Sequence, residues 1–136
     1  MVDDEPIITI FVVTYNQEKT IERALKSVME QKISYKYVVK ILDDCSTDGT
    51  RAICEKYRGM YPDVTELIIE KKNTKAHHFL RELCKIKTKY WAMLEGDDYW
   101  CDNIRIQRAL DFLEKHDEYT GYATDYLVKK PNGEEF

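Results

Sequence analysis

Three carboxylates fall within four residues in the stretch Leu94-Glu95-Gly96-Asp97-Asp98-Tyr99-Trp100. Like charges at this spacing repel one another, so a folded protein seldom gathers them without a counter-charge. The usual counter-charge is a hard divalent cation, Mg²⁺ or Mn²⁺, which prefers carboxylate oxygens and shares its coordination shell with substrate phosphates. Gly96 leaves room for close approach to the backbone. A solvated acidic turn has the same composition, and the local sequence leaves both interpretations open.

Two further polar clusters follow apolar runs. Thr14-Tyr15-Asn16 comes after the β-branched residues 7–13, and Asp43-Asp44 comes after residues 37–42. Residues 7–13 are typical of a strand buried on both faces of a parallel sheet, residues 37–42 of a second strand, and residues 90–94 before the acidic stretch of a buried strand. Open α/β sheets bind ligands at the carboxyl ends of their strands, so we expect the three clusters to converge there.

Strand-like and helix-like segments alternate four times with short connections, which predicts a doubly wound, mostly parallel α/β sheet with helices on both faces. Helices are predicted from apolar residues at helical spacing, and further strands from β-branched and aromatic runs. The predicted helices cover residues 18–31, the segment that follows the capping residues 46–48, residues 75–85 and the segment capped by Asp102 or Asn103. Further strands are predicted at residues 64–69 and 122–128, a turn at 131–133, and a core position for Trp91.

The composition is that of a soluble globular domain. The 136 residues are 43% hydrophobic and 34% charged, and the net charge of −4 argues against nucleic acid as a partner. The four cysteines form no CxxC pair, which favours reduced thiols in a cytoplasmic protein over disulfides or zinc. No apolar run approaches the ~20 residues of a transmembrane segment. We expect residues 1–136 to be one domain, truncated at its C-terminus, because the chain stops where a partner strand for the 131–133 turn should begin.

A calcium loop is the first alternative for the second cluster. Asp44-Cys45-Ser46-Thr47-Asp48-Gly49, with Glu55 following, nearly matches the EF-hand pattern. An EF-hand requires a helix before the loop, whereas residues 37–42 resemble a strand. Capping residues at a strand-to-helix turn explain Ser46 to Gly49 adequately but leave Asp43 and Asp44 unexplained.

The three clusters together resemble the successive signatures of family 2 glycosyltransferases, whose fold is GT-A. That family's pattern runs PTYN, then VDDGSTDGT, then LDxDDxW. The corresponding segments here are Val12-Val13-Thr14-Tyr15-Asn16, Leu42-Asp43-Asp44-Cys45-Ser46-Thr47-Asp48-Gly49-Thr50 and Leu94-Glu95-Gly96-Asp97-Asp98-Tyr99-Trp100. Order and spacing match over nearly the whole chain. A single DxD is weak evidence, but three ordered motifs are strong.

The resemblance implies a role for each motif. Tyr15 would stack on the nucleotide base, and Asp44 would accept the base's ring N–H, which favours uracil over cytosine without excluding thymine or guanine. Glu95 stands where the family usually has Asp, which puts its direct role in doubt. The implied nucleotide-binding residues are Thr14, Tyr15, Asn16, Asp44 and Asp97, and the implied metal ligands are Asp98 and Asp97.

The implied reaction transfers a sugar from a nucleoside diphosphate sugar, with a UDP-sugar favoured, to a glycan or lipid-linked glycan acceptor with Mg²⁺ or Mn²⁺. Enzymes of this kind invert the anomeric centre and use an Asp after the metal motif as general base. Asp125 is the only later Asp in a predicted strand, and we interpret it as structural. The base is therefore expected beyond residue 136, so this chain should bind donor without efficient turnover. A cytoplasmic location is expected, at the inner face of the membrane if missing segments or partners supply an anchor.

The helix after the third strand departs from the family pattern, which often has a Gly and an Ala-Arg-Asn run there. This chain instead has Asn73-Thr74-Lys75-Ala76-His77-His78-Phe79-Leu80-Arg81. Lys75, His78 or Arg81 would replace the family's basic contact to the phosphates or base. For each of them, an exposed polar helix face is the simpler interpretation.

Two other functions remain compatible with acidic residues at a sheet edge. A receiver-like signalling domain also binds Mg²⁺ there, but it needs an acidic pair after the first strand and an Asp after the third. A nucleotide-sugar pyrophosphorylase needs a glycine-rich basic loop after the first strand, and Gln17-Glu18-Lys19 contains no glycine.

Overall fold

The computed structural model describes residues 5–135 and contains four strands that alternate with four helices. The ends of the predicted 1–136 domain, residues 1–4 and 136, lie outside the described residues. No described helix is long and apolar enough to cross a membrane. In chain order the elements are β1 (Ile8–Thr14), α1 (Ile21–Met29), β2 (Tyr37–Asp43), α2 (Thr50–Met60), β3 (Thr65–Ile69), α3 (His77–Leu83), β4 (Tyr90–Glu95) and α4 (Arg105–Lys115).

All four strands belong to one sheet with the order β3-β2-β1-β4, and every neighbouring pair is parallel. The predicted α/β class with a parallel sheet is therefore confirmed. The chain adds β2 and β3 on one side of β1 and then crosses to place β4 on the other side. The strand order thus reverses between β1 and β4, and such a switch point is where open α/β sheets leave a crevice at the carboxyl ends of their strands.

The two faces of the sheet are covered unequally. Ile10 and Val12 of β1 face the main core, where they join Leu25 of α1 and Leu110 of α4. Side chains alternate along a strand, so Phe11 lies on the opposite face. There it contacts Phe79 of α3 edge-to-face, with ring centroids 5.2 Å apart. Helices α1, α2 and α4 therefore pack on one face, and the short helix α3 covers the other.

Buried polar groups tie α4 and the segment before it to α1. The Gln31 side chain donates from Nε2 to the Asp102 carbonyl at 2.7 Å and accepts the Ile106 amide at 3.2 Å. The Ser27 hydroxyl accepts the Trp100 amide at 3.0 Å. Paired polar groups in a low-dielectric interior hold a segment in one position. These bonds therefore fix the chain immediately after the acidic stretch.

The structure corrects two predictions. Residues 122–128 form no strand, and Tyr126 and Leu127 are 80% and 66% exposed. An alternating segment becomes a strand only when a neighbour pairs with its backbone, and no described strand does so. The turn at residues 131–133 does form, closed by the Gly133 amide on the Lys130 carbonyl at 2.9 Å. Trp91 is 50% exposed rather than in the core, because it points to the sheet face that α3 covers only in part.

Leu25→Ala should lower the free energy of unfolding by about 2–5 kcal/mol, because Leu25 is fully buried in the main core and its loss leaves a cavity. Urea unfolding followed by circular dichroism measures this change. Leu80→Ala is the matched control in α3, where the side chain is 57% exposed, and it should shift stability by roughly 0.5 kcal/mol or less. Equal effects of both substitutions would contradict the assignment of the core.

Candidate functional site

A cleft of about 320 Å³ lies at the carboxyl edge of the sheet. Residues at the end of β1 and just after it, the residue after β2, the loop before α3, the second residue of α3 and the last residue of β4 all contribute to its lining. Those residues are Val13, Thr14, Tyr15, Gln17, Asp44, Asn73, Lys75, Ala76, His78 and Glu95. The three polar clusters identified in the sequence therefore do converge on one edge.

The loop after β1 is fastened to the loop after β2. Asn16 has a left-handed backbone (φ 49°), and its side-chain oxygen accepts the Thr47 amide at 2.7 Å. The Asn16 amide donates to the Ser46 hydroxyl at 3.0 Å. Thr14 is buried and donates to the Gln17 side chain at 2.8 Å, while Tyr15 is 46% exposed at the rim. In this structure Asn16 holds the two loops together, and Tyr15 leaves its ring accessible.

The two adjacent aspartates after β2 have different partners. Asp43 is fully buried and accepts hydrogen bonds from the amide and the hydroxyl of Ser46, which closes the turn into α2. Asp44 faces the loop before α3, and its Oδ1 accepts the Thr74 amide and the Thr74 hydroxyl, each at 2.7 Å. Its Oδ2 accepts the Ala76 amide at 3.1 Å. Asp43 therefore shapes the loop, whereas Asp44 lines the cleft.

The environment of Asp44 favours its charged form. Burial acts to raise the pKa of Asp44, but the Thr74 and Ala76 hydrogen bonds and the nearby His78 outweigh it and leave the pKa below its usual value. The donors depend on two consecutive left-handed residues, Lys75 (φ 53°) and Ala76 (φ 66°). This conformation costs a non-glycine residue about 1–2 kcal/mol, so the contacts with Asp44 must hold it in place. Sequence reasoning missed these partners because they lie about thirty residues away.

The acidic stretch forms a compact cluster at the end of β4. Ligand oxygens from Glu95, Asp97 and Asp98 lie within 4.8 Å of one another, and all three side chains are exposed. Such a set of hard carboxylate oxygens fits Mg²⁺ or Mn²⁺. Glu95, whose longer side chain put its role in doubt, belongs to the cluster as fully as the two aspartates do.

Gly96 is buried where β4 meets the loop after β1. Its amide donates to the Val13 carbonyl at 2.8 Å. A Cβ at this position would lie 2.4 Å from the Gln17 side-chain oxygen and 2.7 Å from the Thr14 hydroxyl. The close approach predicted for Gly96 is therefore a contact between two loops of the protein itself. It sets the distance between the acidic cluster and the end of β1.

Of the three candidate basic residues, the structure brings two to the cleft. Lys75 and His78 line it, whereas Arg81 pairs with Glu70 and with Glu82 outside it. His78 is 1% exposed, which contradicts its interpretation as part of an exposed helix face. The error arises because the loop before α3 tucks His78 beneath Asp44, with Nδ1 3.4 Å from Oδ1. Asp125 is exposed, as are residues 123–128 of the segment predicted as a fifth strand, whereas Tyr122 is half-buried.

The chain matches known proteins over most of its length. A family model described as Glycosyl transferase family 2 matches residues 9–132. The putative glycosyltransferase EpsE of Bacillus subtilis is 35% identical over 125 residues, which cover 90% of this chain and 44% of EpsE.

Two solved structures are similar in fold. S. aureus TarS 1-349 in complex with UDP-GlcNAc has a TM-score of 0.69 and 26% identity over 81% of this chain and 32% of that chain. The mannosyltransferase PcManGT of Pyrobaculum calidifontis, in complex with GDP-Man and Mn²⁺, has a TM-score of 0.64 and 26% identity over 96% of this chain and 37% of that chain. The chain spans from about a third to less than half of the length of these proteins.

Gly96→Ala should destabilise the fold by about 1–3 kcal/mol, because the new methyl group must displace the Thr14–Gln17 pair. Gly59→Ala is the control, since nothing lies within 4 Å of its added Cβ. Gly59 lies within helix α2, and alanine there should stabilise by about 0.5–1 kcal/mol. Thermal unfolding measures the stability of both variants. An unchanged stability of Gly96→Ala would contradict the close contact of Gly96 with Thr14 and Gln17.

Asp44→Asn should lower the free energy of unfolding at neutral pH by roughly 1–3 kcal/mol, because the donors on Thr74 and Ala76 lose their charged acceptor. The folded pKa of Asp44 is depressed. Its stabilisation is therefore complete above the pKa of an unfolded aspartate, about 3.9, and is lost as the pH falls through the folded value. Urea titrations from pH 7 to acid should show a shallower decline for the variant. The exposed Asp117→Asn should keep the wild-type profile, and an identical profile for Asp44→Asn would contradict the role of that carboxylate.

Proposed function

We propose that this chain binds the nucleoside diphosphate sugar donor of a glycosyltransferase. The chain belongs to glycosyl transferase family 2 and shares the GT-A fold of TarS. The observation that carries the proposal is the cleft at the switch in strand order, which is lined by Tyr15, Asp44 and Glu95, the first residue of the acidic cluster. Family membership argues against the receiver-like and pyrophosphorylase alternatives. The whole reaction would transfer the sugar to an acceptor hydroxyl of a glycan or lipid-linked glycan.

Tyr15 and Asp44 would bind the base. The exposed ring of Tyr15 offers a surface for stacking. A carboxylate provides about four acceptor positions, and Asp44 uses two on Oδ1 and one on Oδ2 within the protein. The remaining position on Oδ2 would accept a ring N–H, which uracil, thymine and guanine carry and cytosine lacks. The UDP-GlcNAc of TarS and the GDP-Man of PcManGT, which carry such bases, support this assignment.

The acidic cluster would bind the diphosphate end of the donor through Mg²⁺ or Mn²⁺. Asp98, Asp97 and Glu95 would hold the cation, and Asp97 would also reach the ribose. A bound divalent cation supplies Lewis-acid stabilisation of the negative charge that develops on the departing diphosphate. Thr14 would act through Gln17 and Gly96 by keeping the end of β1 at a fixed distance from the cluster.

The transferred sugar would pass through a transition state with oxocarbenium-ion character, as in glycoside hydrolysis, and with inversion at the anomeric carbon. A general base must then take the acceptor's proton, and we assign Asp125 no such role because it is exposed in a segment without secondary structure. This chain would therefore bind the sugar donor, and no described residue is assigned as the general base. Without a well-placed base, turnover should be lower by roughly 10²–10⁴-fold.

Nucleotide binding tests the proposal. Calorimetry with UDP, dTDP, GDP and CDP should detect Mn²⁺-dependent binding of at least one of the first three and little binding of CDP. Asp98→Asn removes a unit charge from the cluster, so it should abolish most of the Mn²⁺ enhancement, on the order of tenfold or more. Asp44→Asn should instead relax the base preference and keep the dependence on metal.

Asp125→Asn is the control and should bind like the parent. If Asp98→Asn binds nucleotide and Mn²⁺ as the parent does, the metal site lies elsewhere and the role of residues 95–98 is wrong. Binding led by CDP would remove the role given to Asp44.

A further inference from the structure

A second cavity lies at the amino edge of the sheet, at the opposite end of the strands from the cleft. Its volume is about 410 Å³, which is within the range of small-molecule pockets in proteins. Thr9, the second residue of β1, and residues 85–88, in the connection between α3 and β4, contribute to its lining. Neither the sequence motifs nor the proposed function gives this amino-edge cavity a role.

The lining of the amino-edge cavity is basic, although the chain as a whole is acidic. Lys40, Lys85 and Lys87 contribute three positive charges to it, and Glu5 contributes the one negative charge. The whole chain carries a net charge of −4. A concave surface with an excess of one sign concentrates ions of the opposite sign, so the amino-edge cavity favours an anion.

Lys40 lies in the middle of β2, and its side chain is only 14% exposed. Lysine is rarely buried to this extent without a partner for its charge. The Lys40 Nζ lies 3.4 Å from a carboxylate oxygen of Glu66 and 3.8 Å from one of Glu82. Both distances exceed the roughly 2.7–3.2 Å of an N–H···O hydrogen bond. The two carboxylates therefore balance the charge of Lys40 without satisfying the three donors of its ammonium group.

The other two lysines come from the residues that follow α3. Lys85 is paired with Glu82 at 2.8 Å. Lys87 is exposed and forms no ion pair with any residue between 5 and 135. Lys87 is therefore available to a ligand without breaking a contact within the protein.

The hydroxyl groups of the amino-edge cavity are already committed within the protein. Thr88 donates to the Tyr90 carbonyl at 2.9 Å. The Thr9 and Thr88 hydroxyl oxygens are 2.8 Å apart, so Thr9 donates to Thr88. The side-chain donors left for a ligand are therefore the ammonium groups, which suit an anion rather than a neutral polar molecule.

We propose that the amino-edge cavity binds the phosphate group of a phosphomonoester through its three lysines. Three lysines and one glutamate leave an excess of two positive charges, and a phosphomonoester carries about 1.5 to 2 negative charges at pH 7. Pro6, Val38 and Ile86 add apolar surface to the lining, and this surface would contact the organic part of the ligand. The site is separate from the cleft and does not depend on the proposed function.

Calorimetry with phenyl phosphate tests the site, at constant ionic strength and with EDTA present, so that no metal ion attracts the anion to the acidic cluster. Lys40→Met, checked for folding by circular dichroism, should weaken binding by about tenfold, because it removes a half-buried charge. Lys87→Gln should weaken binding by about threefold, since an exposed charge contributes less. Lys115→Gln, at the exposed end of α4, is the control and should bind like the parent.

Sedimentation with phosphatidylcholine vesicles that contain phosphatidic acid distinguishes two sources of the phosphate. Sedimentation that both Lys40→Met and Lys87→Gln reduce assigns a lipid headgroup, whereas binding of phenyl phosphate without sedimentation assigns a soluble ester. Equal binding by the parent and both variants, or binding by the parent to neither probe, would overturn the proposal. Loss of binding in Lys75→Gln would place the anion in the cleft and overturn it as well. Each of these results leaves the proposed function intact, because neither nucleotide nor metal is present.

Discussion

The parallel pairing of β1 with β2 and with β4 is the constraint on which the rest of the structure depends. It sets Thr14 opposite Asp43 and Val13 opposite Glu95. The carboxyl ends of β1, β2 and β4 therefore lie side by side at the same edge of the sheet. A slip of one residue in either pairing would move the following side chains to the other face of the sheet. The register itself is enforced by the fully buried apolar face of β1, which can pack in only one alignment.

Asp44 links this framework to the loop before α3. A single carboxylate gathers two backbone amides and a hydroxyl from residues 74–76, and it holds two non-glycine residues in the left-handed region. The same contacts keep it charged and leave it one free acceptor position. Cys45, in the loop after β2, also has a left-handed backbone conformation (φ 68°), at a position where the family pattern has glycine. The loop before α3 is thus held by hydrogen bonds to a charged carboxylate against its local backbone preference.

The sequence predicted the sheet, its parallel order and the edge at which the polar clusters meet, because buried β-branched runs and the residues that end them are local signals. It failed where the outcome depends on distant partners. Residues 122–128 have a strand-like pattern but no neighbour to pair with, and Trp91 has an apolar side chain on a face that receives little cover. The burial of His78 follows from a loop conformation imposed by Asp44, and no spacing within its own helix indicates that. Roles for Thr14, Tyr15, Asn16, Asp44, Asp97 and Asp98 remain predictions.

The position of β4 beside β1 has a consequence for how the protein is made. During synthesis β1, β2 and β3 leave the ribosome as consecutive units and can pair with one another early, whereas β4 must return across some eighty residues to reach β1, as the Thr9–Thr88 contact illustrates. Closing so long a loop is slow relative to local pairing. The half of the cleft that carries Tyr15 and Asp44 would therefore form before the half that carries the acidic cluster. Until then β1 has an unpaired edge, and an unpaired strand edge on a nascent chain is open to misassociation.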